Sequence, residues 1–170
     1  DTHPRLSPDG RTLAWLAMSR PGFEADQFQL VLRDLESGEQ RVLSEDWDYS
    51  PAGLEFSPDG RSIYFNSTRS GTMQIWRMGP DGRDPEQVTD DEYNNWFPHL
   101  SPDGSQIAFT LDSDRGAEAD NANVYFINAE HDGENSLDML PVIERIYTWY
   151  LVTRPFGSDD SKYEDHRRAV

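Results

Sequence analysis

Short runs of alternating apolar and polar positions recur along the chain, each bounded by a turn-forming cluster. The runs Leu13-Ala14-Trp15-Leu16, Ile63-Tyr64-Phe65 and Ile107-Ala108-Phe109 are the clearest. Side chains on a strand alternate between two faces, so these segments are predicted to be β-strands. Each run follows the same tetrapeptide, Ser7-Pro8-Asp9-Gly10, Ser57-Pro58-Asp59-Gly60 or Ser101-Pro102-Asp103-Gly104, with successive copies 50 and 44 residues apart. An apolar residue, Leu6, Phe56 or Leu100, precedes each copy. Proline fixes φ at the second position of a type I turn, aspartate suits the third, and glycine accepts the left-handed conformation that closes the hairpin. The predicted local unit is strand, tight turn, strand.

A second strand pair is expected in each unit: residues 29–32 and 41–43 around Ser37-Gly38, then 74–78 and 86–89 around Asp81-Gly82. The third unit offers residues 123–128, a turn at Asp132-Gly133 and a weaker strand over 137–140. Four short strands per unit of about forty to fifty residues is the pattern of a propeller blade, a small sheet that buries its faces against neighbouring blades. The expected fold class is therefore all-β, a β-propeller-type repeat with three four-stranded blades, over about 3–46, 47–92 and 93–140. A helical extension and polar tail over 141–170 complete the expected organisation. The helix is expected over about 139–152, where Met139, Val142, Ile143, Ile146, Tyr147, Tyr150 and Leu151 fall at helical spacing behind Asp138.

These residues resemble the WD40-like propeller repeat of TolB-like proteins, found also in the propeller domains of prolyl-oligopeptidase-type serine peptidases. The likeness rests on Leu6-Ser7-Pro8-Asp9-Gly10-Arg11, on the run from Phe56 through the second turn to Phe65, and on Asn94-Asn95-Trp96-Phe97-Pro98-His99-Leu100 before the third. It implies a propeller, and it leans towards a periplasmic or secreted location, with a cytoplasmic one left open. Closed propellers use about 4 to 8 blades. The open edges are thus expected to be covered by further blades of a longer propeller, by the terminal helix, or by a second copy in a homodimer that closes a six-bladed ring.

Charge removes other classes. Lys plus Arg number 15 against 32 Asp plus Glu, a formal charge of −17. Such a field repels phosphate backbones, so nucleic acid is not the expected partner. No cysteine is present, which removes thiolate nucleophiles and cysteine-ligated metals. No apolar stretch approaches the ~18 residues of a membrane span. Aromatic residues nevertheless reach 12%, with five Trp, enough to build a core.

Catalytic signals are weak. The Gly-x-Ser-x-Gly string of a serine hydrolase elbow is absent, no cofactor motif occurs, and no catalytic residue is expected. Residues 124–133 followed by His166 have the order of a hydrolase strand, acid loop and histidine, yet serve equally well as blade strands. Asp112, Asp114, Glu118 and Asp120 place oxygens at alternating positions as calcium loops do, but Arg115 intrudes and the twelfth residue is Asn123, so a solvated loop is expected.

Binding has the better case. Trp47, Tyr49, Tyr93, Asn95 and Trp96 sit in acidic, aromatic clusters just before an expected innermost strand, and His3 and His99 lie on such strands. These seven residues form the expected recognition surface at the channel mouth, while Trp15 and Trp76 are expected to pack between blades. The expected function is a non-catalytic scaffold binding a protein or peptide partner. The alternative is the propeller portion of a prolyl-oligopeptidase-type peptidase, gating access to a hydrolase domain.

Overall fold

The computed structural model describes residues 1–18, 20, 26–112 and 123–129. Three antiparallel sheets account for the regular structure in that part. The first contains β1 (Thr2–Leu6), β2 (Thr12–Met18), β3 (Phe28–Asp34) and β4 (Gln40–Val42) in sequential order. The second repeats this with β5 (Ala52–Phe56), β6 (Ile63–Ser67), β7 (Gln74–Met78) and β8 (Glu86–Gln87). The third holds β9 (Asn94–Leu100), β10 (Gln106–Asp112) and β11 (Asn123–Asn128), with β10 central. Chain contacts divide the molecule into Asp1–Met139 and Leu140–Val170. The expected helix over 139–152, the strand over 137–140, and Asp114, Glu118 and Asp120 of the acidic loop all lie outside the described residues.

The three repeated turns fold alike, atom for atom. In each, the glycine N–H donates to the serine carbonyl three residues earlier, at 2.9, 2.8 and 2.8 Å, and the glycine has φ of 72°, 70° or 73°. The serine hydroxyl donates to the aspartate at 2.6 Å in all three copies. It also accepts the N–H of Thr12, Ser62 or Gln106 at 2.9 Å, tying the turn to the start of the next strand. The donated bonds stabilise the ionised carboxylate. The Ser101 hydroxyl, with the Ser105 N–H and hydroxyl, holds Asp103 down at about 2, and Asp9 and Asp59 are lowered from the same cause, led by Ser7 and Ser57.

The sheets stack face against face. Ala14, Leu16, Leu30 and Leu32 of the first meet Leu54, Ile63, Phe65 and Met78 of the second. On its other face the second sheet places Tyr64 and Ile75 against Leu100, Ile107, Phe109 and Leu111 of the third. Hence β6 is buried at all five positions, because both of its faces are covered, whereas β4 is exposed throughout. The first strands of successive sheets touch, β1 against β5 and β5 against β9. Sheets stacked in this way with their first strands together form part of a propeller, with those strands innermost.

Each innermost strand carries a β-bulge. Register slips between Thr2 and Arg5, between Ala52 and Glu55, and on β10 between Ala108 and Thr110 opposite β9. The residue four before the repeat serine is left-handed in every case: His3 (φ 53°), Gly53 (φ 48°) and Phe97 (φ 55°). A side chain in that conformation is strained, as at His3 and Phe97, whereas glycine adopts it freely at Gly53.

Candidate binding site on the inner strands

Topology fixes which loops share an end. Strands β1, β5 and β9 all run towards the Ser-Pro-Asp-Gly turns, so those turns and the loops over 35–39 and 79–85 lie at one end of the sheets. The connections over 43–51, 68–73 and 88–93 lie at the other. That second end receives Trp47, Tyr49 and Tyr93, with Asn95 and Trp96 at the start of β9.

The structure separates these residues by role. Tyr49 is exposed and Trp96 half-buried, its ring 6.1 Å from that of Phe97. Trp47 packs on the first core, 5.1 Å from the Phe65 ring, and its carbonyl accepts the Gln27 side chain at 2.6 Å. Tyr93 packs on the second core, and its carbonyl accepts Gln74 Nε2 at 2.9 Å. Asn95 is fully buried, and its amide donates to Gln74 Oε1 at 2.9 Å and to the Asp91 carboxylate at 3.0 and 3.1 Å. That bonding fixes the connection between the second and third sheets, and Asn95 lies in the interior and not on the exposed face. Trp76 packs on the first core and Trp15 is half-buried.

His3 and His99 occupy different rungs. His3 is the left-handed residue of β1, its Nδ1 3.1 Å from the Thr2 hydroxyl. His99 lies two residues before its serine, level in the repeat with Arg5 and Glu55. There Glu55 Oε2 is 3.5 Å from Arg5 Nε and 3.7 Å from His99 Nδ1, so one carboxylate bridges all three innermost strands. The three side chains are 41%, 25% and 49% exposed, leaving this rung open to solvent. The rung emerges from the sequence once the repeats are aligned on their serines, although Arg5 and Glu55 carry no motif of their own.

Phe97 is the second feature the sequence did not single out. It is 53% exposed, and its left-handed backbone is held by Asn66, whose Oδ1 accepts the Phe97 N–H at 3.1 Å while its Nδ2 donates to the Asn95 carbonyl at 2.8 Å. Asn66 belongs to the second sheet and is fully buried, so it pins the bulge of the third. Gly53 makes room for this clamp, since a Cβ there would stand 2.6 Å from Asn66 Oδ1. An exposed aromatic thus stands on a backbone braced from the neighbouring sheet.

Among the described residues no three His, Asp or Glu converge as a metal site, and no helix is long and apolar enough to cross a membrane. The segment weighed as a hydrolase strand is β11, which pairs antiparallel with β10 from Gln106↔Asn128 to Leu111↔Asn123 and is a blade strand. His131 and His166 lie outside the described residues.

Comparison with known proteins agrees with this architecture. Residues 2–138 match the family model described as the TolB beta propeller domain. A protein of Agrobacterium fabrum is 41% identical over 103 residues, covering 61% of this chain and 33% of its own length. Dipeptidyl-peptidase 5 of Porphyromonas gingivalis is 30% identical over 94 residues, covering 55% of this chain and 14% of its own. A solved TolB-type structure from Agrobacterium tumefaciens superposes with a TM-score of 0.60 at 32% identity, covering 75% of this chain and 46% of that one. The chain thus spans a third or less of the two curated relatives.

Proposed function

The chain belongs to the TolB beta propeller domain family, and from that premise we propose that it is a non-catalytic module that binds a protein or peptide partner on its innermost strands. One observation carries the reading. The turn positions repeat without change, Ser-Pro-Asp-Gly three times, whereas the solvent-facing rung two residues earlier holds Arg5, Glu55 and His99. The residues that build the fold are uniform, and those that face the axis each carry a different chemistry. A mixed-charge rung beside an exposed aromatic suits an extended peptide, with Phe97 giving an apolar anchor and Glu55 an acceptor for amides or a basic side chain.

Peptide arrays probed with the full chain test this. Sequences that bind are expected to lose about tenfold or more in affinity with Glu55→Arg and with Phe97→Ala, while peptide-ester hydrolysis stays at background. Array binding unaffected by both substitutions would overturn it. The second reading, a propeller portion that gates a peptidase, is favoured by the similarity to a dipeptidyl-peptidase. It is decided by whether the gene encodes a Gly-x-Ser-x-Gly segment contiguous with this chain.

A further inference from the structure

The loop over 68–73, between β6 and β7, carries an arginine in an unusual setting. Arg69 Cζ lies over the Trp47 ring at 4.6 Å and over the Trp76 ring at 4.9 Å. Trp47 comes from the connection between the first two sheets and Trp76 from β7, so the guanidinium sits across the seam between them. Three arginines are half-buried among the described residues: Arg5, Arg69 and Arg77. Arg5 pairs with Glu55 at 3.5 Å and Arg77 with Glu86 at 2.8 Å. Arg69 has no carboxylate within 4.0 Å among the described residues, and its guanidinium donates no hydrogen bond to them. The arginine of the corresponding loop in the first sheet, Arg20, meets Asp26 at 3.4 Å.

Among the described residues Arg69 has no carboxylate partner although acids are abundant. Glu45, Asp46 and Asp48 flank Trp47 in sequence and are exposed. Indole rings attract the cation through their faces but accept nothing from its in-plane N–H groups. The fork is therefore oriented and partly desolvated, and no described carboxylate takes its N–H groups. A planar carboxylate is its natural complement, taken by two parallel N–H···O bonds.

We infer that Arg69, walled by Trp47 and Trp76, is a carboxylate-binding subsite at the loop end of the seam between the first two sheets, taking a carboxylate of a peptide. The neighbouring acids select among anions. They repel a doubly charged phosphate more than a single carboxylate, and they attract a basic side chain or amine beside it. The ligand class is then a peptide with a free carboxylate close to a cationic group. This rests on the peptide-binding reading above and adds an anchor distinct from Glu55 and Phe97.

The test uses the full chain and the tripeptide Lys-Ala-Ala as free acid and as C-terminal amide, followed by tryptophan fluorescence. The free acid is expected to bind about tenfold tighter than the amide. Arg69→Lys keeps a cation over the rings but loses the fork, so it should abolish that preference while the protein stays folded by circular dichroism. Equal binding of acid and amide, or a preference retained in Arg69→Lys, overturns the inference. So does displacement of the peptide by millimolar inorganic phosphate, which would mark a general oxyanion site. If acid and amide bind equally and both respond to Phe97→Ala, only the subsite falls and the binding face stands. If neither binds and the array also fails, both readings fall.

Discussion

The hydroxyl of Ser101 does two things at once, donating to Asp103 and accepting from the Gln106 N–H. Ser101→Ala removes both and leaves a strand amide without its partner, so it is expected to cost about 1–2 kcal/mol, read as a lower urea midpoint at pH 7. The same bonds set a pH dependence. Asp103 is held at about 2, below its ordinary 3.8. Its folded pKa is depressed, so the stabilisation is complete above the unfolded value and declines as pH falls from there through about 2. Asp9 and Asp59 are lowered in the same direction and add to this acid limb. Unfolding midpoints measured from about pH 5 down to about pH 2 on the wild type and Asp103→Asn check it. The variant should show a shallower loss of stability over that range. At Gly53 the argument is steric. Alanine there would meet Asn66 Oδ1 at 2.6 Å and adopt φ of 48°, so Gly53→Ala is expected to destabilise by about 2 kcal/mol or more, measured by thermal and chemical denaturation.

Among the elements, β6 is the most enclosed, and its alternation divides the work. Ile63 and Phe65 belong to the core shared with the first sheet, and Tyr64 to the core shared with the third. Phe65→Ala is expected to cost about 3–5 kcal/mol, whereas Val42→Ala on exposed β4 should stay within about 0.5 kcal/mol. Denaturant titration of both variants makes the comparison directly. The turns and strands were legible from sequence because each hairpin is specified locally, by four residues whose φ preferences and side-chain bonds act within a few positions. The bulges were not. The left-handed position is filled by His3, Gly53 and Phe97, three residues with no shared side-chain character, and at Phe97 the conformation is enforced by Asn66 from another sheet. The burial of Asn95 was hidden for a similar reason, since its partners are Gln74 on β7 of the second sheet and Asp91 in the connection that leads to the third. The meeting of Arg69 with Trp47 and Trp76 likewise depends on how two sheets pack, which no local pattern encodes.

At the scale of the whole molecule, radial stacking converts a repeated turn into a surface with two unlike ends. One end carries the identical Ser-Pro-Asp-Gly hairpins. The inner strands and the opposite loops carry Arg5, Glu55, His99, Phe97 and Arg69, which differ from repeat to repeat. The charge of −17 sets up a long-range negative field that weakens as salt rises, and under the proposed function it would speed encounter with basic peptides. The central claim is that partners dock on the inner strands and not on the hairpin end. Site-specific photo-crosslinking measures this most directly, with a benzophenone amino acid placed at position 97 in one sample and at exposed position 36 in the loop beside the hairpins in another. Peptides selected on the array should form adducts from position 97 and not from position 36. Adducts from position 36 alone, or at equal yield from both, would contradict the account.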